Sequence, residues 1–235
     1  MSAGAQGRVV LITGSAGQLG QAVTAHFAAQ GARLALLDCE GPALQVLAKR
    51  HRGALALPAD LLDAAAVGVA VAAAMRAFGR IDAAVHLAGG FAMGEAVHET
   101  RHETWQQMLD LNVNTMLHSA AAVVPLMRAQ GGGAIVNVGA AAALRGGAQM
   151  GAYAASKSAL MRFTESMSAE LRDDGIRVNA VLPSIIDTPA NRAAMPEADP
   201  KRWVAPEALA AVIGFLAGDD ARAVHGACIP VTGLV

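Results

Sequence analysis

Tyr153 and Lys157 stand four residues apart, in Tyr153-Ala154-Ala155-Ser156-Lys157. On a helix that spacing stacks a phenol and an ammonium on one face. A phenol titrates near ~10, so it needs a close cation to act as a general acid or base at neutral pH. Lys157 is placed to be that cation. The segment Thr13-Gly14-Ser15-Ala16-Gly17-Gln18-Leu19-Gly20 offers a different chemistry. Glycines let a backbone turn tightly and approach a pyrophosphate, and a helix starting there presents free N–H groups and its positive dipole end. Asp38 follows about ~20 residues later, where a carboxylate can bind the hydroxyls of an adenosine ribose. It would repel a 2′-phosphate, and no Arg or Lys lies in the glycine turn or directly after Asp38. NAD(H) is therefore expected in preference to NADP(H). Asp60 could accept from the adenine amino group or simply cap the next helix.

These residues need elements to hold them. Short β-branched runs are expected as strands at 8–13, 33–37, 54–57, 83–87, 134–138, 177–182 and 227–231. Helical periods lie between them, at 19–30, 43–50, 64–78, 104–129, 152–173 and 206–217. Strands alternating with helices of this length imply right-handed crossovers and a parallel sheet covered on both faces. The predicted fold is a Rossmann-type three-layer αβα sandwich with a seven-stranded parallel sheet, in one domain over residues 1–235. Residues 185–203, with three prolines, read as a surface excursion beyond a strand end, where a substrate lid would sit.

Composition narrows the classes further. The formal net charge is −1 with no cluster of Lys and Arg, which argues against nucleic acid or an anionic membrane as partner. The longest apolar stretch, Ala64 to Met75, is shorter than the ~18 residues a spanning helix needs. The N-terminus, MSAGAQGR, has no apolar core of a signal peptide, and two cysteines are too few for a disulfide scaffold. A cytoplasmic protein acting on a small molecule is expected. His98-Glu99-Thr100-Arg101-His102 matches the zinc-protease string HExxH, but it sits in a polar segment without an obvious third ligand. No metal site is assigned.

Together these motifs resemble the short-chain dehydrogenase/reductase family over nearly the whole chain. Besides the glycine turn and YxxxK, the similar residues are Asp60-Leu61, Ala88-Gly89, Asn112, Asn137, Arg177-Val178-Asn179, and Pro183 with Thr188. The resemblance implies an oxidoreductase in which hydride moves between nicotinamide and a carbonyl, alcohol or activated acceptor. Tyr153 would exchange a proton with the substrate oxygen. Lys157 would bind the nicotinamide ribose and lower the Tyr pKa, and Asn112 would hold a water linking Lys157 to solvent. Cofactor contacts would come from Gly14, Ala16, Gly17, Gln18, Leu19, Gly20, Asp38, Asp60, Leu61, Ala88, Gly89, Gly90, Tyr153 and Lys157. Pro183, Ile186 and Thr188 would pack on the nicotinamide side. A homotetramer or homodimer built through the helices at 104–129 and 152–173 is also implied.

Departures from the family pattern are informative. The middle glycine of the turn comes one position early, at Gly17, and the usual Asn-Asn-Ala-Gly reads His86-Leu87-Ala88-Gly89. The serine that the family carries thirteen residues before its Tyr is Ala140. Losing such a hydrogen-bond donor typically slows a reaction ~10²–10³-fold. Either another donor replaces it, with Gln149, Arg145 and Ser184 nearest by sequence, or the acceptor is activated. Gly139-Ala140, the early glycine and the segment 187–203 resemble quinonoid dihydropteridine reductase, although that enzyme departs from the family where Asn112 is kept here. A nucleotide-binding protein without catalysis is the alternative from another class. Phe91, Met150, Met195 and Trp203 are expected as apolar substrate contacts, and His86 as a packed residue.

Overall fold

Side chains along β1 (Val9–Thr13) alternate between two cores. Val10 and Ile12 pack with Val23 and Phe27, whereas Val9 and Leu11 pack with Val67 and Val71. A strand apolar on both faces needs cover on both. The computed structural model describes residues 5–235. Residues 1–4, part of the N-terminal stretch read above for a leader, lie outside the described residues.

Strands β2 (Arg33–Asp38), β3 (Leu55–Pro58), β4 (Ala83–His86), β5 (Gly133–Val138), β6 (Ile176–Pro183) and β7 (Cys228–Val231) join β1 in one seven-stranded sheet. All pairings are parallel, in the order β3-β2-β1-β4-β5-β6-β7. The helices in chain order are α1 (Gln18–Ala29), α2 (Pro42–Arg50), α3 (Ala64–Phe78), α4 (His102–Leu109), α5 (Thr115–Ala129), α6 (Gly151–Leu171), α7 (Pro189–Ala194) and α8 (Pro206–Ala217). Residues of α1, α2 and α8 fill the core on one face, and residues of α3, α5 and α6 fill the other. This is the Rossmann-type αβα sandwich expected from the alternation. Strand order reverses between β1 and β4, so a crevice opens at their carboxyl ends, the place where such sheets bind ligands. No helix is long and apolar enough to cross a membrane among the described residues.

Two differences from the sequence reading bear on the site. The single helix expected at 104–129 is two, α4 and α5, joined by a π-helical turn at Asp110–Asn114. One extra residue in a turn hardly disturbs a hydrophobic period, which is why periodicity misses it. The excursion at 185–203 contains α7, opened by Thr188, whose hydroxyl accepts from the Asn191 N–H at 3.2 Å, and by Pro189 at the first position. Elsewhere the motif Arg177-Val178-Asn179 is structural. The buried Arg177 guanidinium donates to the carbonyls of Leu216, Gly218 and Ala221 at 2.7, 2.8 and 3.1 Å, ending α8. Asn179 ties down Val224 and Ala227.

Candidate functional site

The glycine turn runs from β1 into α1, and its three glycines do different things. Gly14 has φ +67°, and a Cβ there would stand 2.8 Å from the backbone N of Ala88, so the turn is pressed against the loop after β4. A Cβ at Gly20 would collide with the carbonyl oxygens of Gly14 and Ser15, so this glycine lets α1 close onto the turn. Both are required by protein packing. Gly17 is not: a Cβ there would meet only the Gly14 oxygen, at 3.4 Å. Gly17 is the N-cap of α1, without a side-chain cap, and no acidic residue occupies the first turn. A bare, uncapped helix start with no carboxylate suits an approaching phosphate, so the chain fits a dinucleotide here. Ala16, Gln18 and Leu19 complete this rim, with Gln18 and Leu19 opening α1.

Asp38 ends β2 beside this turn. Its carboxylate accepts from the Ala16 N–H and from the Cys39 N–H, each at 2.8 Å, so it also fixes the turn's shape. Asp60 accepts from the Leu62 N–H at 2.9 Å. The cap of α3 is Asp63, not Asp60, with bonds from the N–H groups of Ala65 and Ala66. Leu61 is buried, and its carbonyl meets His118 Nδ1 at 2.8 Å.

Tyr153 and Lys157 lie on α6, one turn apart. Lys157 is buried, and its Nζ donates to the Val138 carbonyl at the end of β5, at 2.9 Å. Burial draws the ammonium down to about 8, because the charged form loses its hydration. Burial also pushes the Tyr153 phenol above its ordinary value. The lowering of Tyr153 by Lys157 that the resemblance implies does not show: the phenol is shifted upward by burial alone. Phe91 meets the Tyr153 ring edge-on, with centroids 4.9 Å apart and planes at 80°.

Asn112 sits in the π-helical turn, fully buried. Its Oδ1 accepts from the Gly90 N–H at 3.0 Å, and its Nδ2 donates to the Gly90 carbonyl at 3.1 Å and to Ser156 Oγ at 3.0 Å. Ser156 in turn donates to the Tyr153 carbonyl at 2.8 Å. The Asn112 side chain is therefore a brace between the loop after β4 and α6. Both its amide hydrogens are engaged within the protein. A Cβ at Gly89 would lie 2.8 Å from Asn112 Oδ1 and 3.1 Å from Lys157 Nζ, which brings Gly89, Asn112 and Lys157 together. Ser156 was missed by sequence reading. A small hydroxyl residue inside a long helix, within the YxxxK segment itself, was the available signal.

Ala140 is buried just beyond β5, and its methyl can donate no hydrogen bond. Of the three substitute donors, Ser184 is already committed, donating to the Thr232 carbonyl at 2.7 Å. Arg145 and Gln149 are exposed in the loop before α6. Trp203 is buried, while Met150 and Met195 are partly exposed. Pro183 closes β6, and the Ile186 carbonyl accepts from Asn191 Nδ2 at 2.8 Å, which ties the segment after the strand to α7. His86 is buried and held neutral, drawn down to about 4 by desolvation, with its Nδ1 2.8 Å from Asn137 Oδ1. His98 and His102 fall on separate elements, a 3₁₀ turn and the start of α4, so the HExxH string never forms one helical face.

The model of the family described as short chain dehydrogenase matches residues 8–199. The 2-(R)-hydroxypropyl-CoM dehydrogenase of Xanthobacter autotrophicus is 34% identical, over 96% of this chain and 97% of its own length. A short-chain type dehydrogenase/reductase from Mycobacterium ulcerans superposes with a TM-score of 0.93 at 27% identity, over 100% of this chain and 90% of its own. An NAD+-bound xylitol dehydrogenase superposes with a TM-score of 0.89 at 29% identity, over 97% of this chain and 99% of its own. None of these three is described as a dihydropteridine reductase.

Proposed function

The chain belongs to the short-chain dehydrogenase family and is an NAD(P)-dependent oxidoreductase, and from that premise we propose that it uses NAD(H) and reduces or forms a small carbonyl compound through Tyr153. The observation that carries this reading is the meeting of Gly89, Asn112 and Lys157 Nζ near the end of β5, with Tyr153 one helical turn before Lys157 on α6. The glycine turn, Asp38, Asp60 and the loop Ala88-Gly89-Gly90 would hold the adenosine and phosphates. Pro183, Ile186 and Thr188 would flank the nicotinamide. When bound, the nicotinamide supplies or accepts the hydride. Tyr153 Oη hands its proton to the substrate oxygen in reduction and takes it back in oxidation. Lys157, held by the Val138 carbonyl, stands one turn below it as the ribose-binding cation, and its proton affinity near 8 lets it reprotonate the phenol. Asn112 and Ser156 fix the distance between α6 and the loop that carries Gly90.

The preference for NAD(H) is supported by Asp38 at the end of β2, whose carboxylate would repel a 2′-phosphate. Trp105 on α4 and Phe163 on α6, both partly exposed, favour assembly into a dimer or tetramer through those helices. Single-turnover oxidation of NADH with butane-2,3-dione, cyclohexanone and quinonoid dihydropterin tests the reading. Oxidation with at least one carbonyl is expected. Tight NADH binding without oxidation by any of them would instead favour a non-catalytic nucleotide-binding protein.

A further inference from the structure

We propose that Phe91 sets the substrate class of this site: its ring is the wall beside the reacting oxygen, and it selects a neutral ketone, or the matching secondary alcohol, with an apolar substituent next to the reacting carbon. The proposal rests on the reading of Tyr153 as the proton-transferring group, because Phe91 is placed by its contact with that phenol. The two rings stand with centroids 4.9 Å apart and planes at 80°, in direct contact. The substituents of a carbonyl that accepts the Tyr153 proton therefore have the Phe91 ring as a neighbour. That ring is still 58% exposed, so a large apolar face lies uncovered at the phenol. Met93 and Val97 on the same loop are exposed as well. Apolar side chains gathered in the open at a cleft mark a binding surface.

The backbone that carries Phe91 is fixed on both sides. Before it, the Gly90 N–H donates to Asn112 Oδ1 at 3.0 Å and the Gly90 carbonyl accepts from Asn112 Nδ2 at 3.1 Å. After it, the Gly94 N–H donates at 2.9 Å to the carbonyl of Gln149, whose φ is a strained 60°. Glu95 then forms a parallel bridge with Met150 at the start of α6. Val97 closes onto the same helix, since a Cβ at Gly151 would stand 2.8 Å from Val97 Cγ2. The loop is thus tied to the helix that carries Tyr153, and the ring needs little further ordering when a substituent packs on it.

The neighbouring polar groups point the same way. Arg101 Nε donates to Glu95 at 2.6 Å, and Arg192 donates to both Asp187 oxygens at 2.6 and 2.8 Å. Lys157 Nζ is held by the Val138 carbonyl. The turn after β5 reads Ala140-Ala141-Ala142-Ala143-Leu144, without a hydroxyl, and Ser158 Oγ on α6 is spent on the Ala143 carbonyl at 2.9 Å. Neither a carboxylate nor a row of hydroxyls on a substrate finds an unspent partner among these groups. Arg145, exposed at the next position, is the cation an anionic substrate would use, and the carboxylate acceptor below tests it.

The test compares three activated methyl ketones that differ only in the group on the second carbonyl: 1-phenylpropane-1,2-dione, butane-2,3-dione and pyruvate, at saturating NADH. In the parent, kcat/KM should fall about tenfold or more from phenyl to methyl, and further for the carboxylate. Phe91→Ala should lower the phenyl-over-methyl ratio about tenfold, and Phe91→Leu should lower it less. The ratio is the readout because a general loss of folding or of proton transfer would slow both diones alike. A Phe91→Ala ratio within about twofold of the parent, or a parent that takes pyruvate best or reduces none of the three, overturns the proposal. Tyr153→Phe, run beside it, separates the two readings. If that variant is slow while Phe91→Ala leaves the ratio unchanged, only the role of Phe91 falls. If Tyr153→Phe keeps the parental rate, both fall.

Discussion

Replacing Lys157 with methionine should change the pH dependence of stability in a way that can be worked from its burial. The ammonium binds its proton less tightly in the folded chain, with its ordinary 10.5 drawn down to about 8. Above 10.5 the lysine is neutral in both states and burial carries no charge penalty. As the pH falls from 10.5 to 8, the unfolded chain takes up a proton that the folded chain does not. The folded state then loses about 1.4 kcal/mol per pH unit, roughly 3 kcal/mol over the interval. Below 8 the penalty is constant. The methionine variant would carry none of it, but would leave the Val138 carbonyl without its donor, a pH-independent loss of about 1–3 kcal/mol. Lys157→Met should therefore be near neutral or stabilising at pH 7 and destabilising above pH 10. Urea unfolding of both proteins, followed by circular dichroism at matched concentration from pH 7 to above pH 10, measures the difference. A difference that stays flat across the interval from 8 to 10.5 would refute the assignment of Lys157 as a desolvated ammonium.

Three other outcomes are expected. His86, drawn down to about 4 from an ordinary 6.5, binds fewer protons folded than unfolded, so stability should fall as the pH drops through that window. His86→Asn should flatten this acid limb in a denaturant series. Asp38→Ala should weaken NADH binding and narrow its advantage over NADPH, measured by fluorescence titration; an undiminished preference for NADH contradicts the assigned contact. Gly14→Ala forces a Cβ to within 2.8 Å of the Ala88 backbone from a left-handed conformation, and should lower unfolding stability by about 2 kcal/mol or more, whereas Gly17→Ala should spare stability and impair coenzyme binding.

The architecture was legible because β1, β2, β4 and β5 are apolar on both faces and each is followed by a helical period, a pattern that only a covered parallel sheet satisfies. The glycine turn could be read for its location but not for its division of labour. Gly14 and Gly20 are demanded by contacts from Ala88 and Ser15, which only the fold brings near. The pair Tyr153 and Lys157 was legible from spacing alone, while its electrostatics were not. Proximity suggested a lowered phenol, and burial, invisible in a one-dimensional spacing, raises it. Asn112 was found, yet its side chain proved to be a brace, because the π turn that aims it at Gly90 leaves the hydrophobic period intact. The strain at Gln149 had no sequence signal, since its φ is imposed by the Gly94 and Glu95 contacts across the loop.

Tyr153 is the sole tyrosine of the chain, so Tyr153→Phe removes every phenol at once. Stopped-flow oxidation of NADH by an activated ketone, with NADH affinity measured on the same samples, isolates the proton-transfer step. The expected result is an unchanged NADH affinity and a hydride-transfer rate lowered by about 10²–10⁴-fold, the range of a lost general acid. A variant that binds NADH normally and transfers hydride within about tenfold of the parent would contradict the central role of this residue.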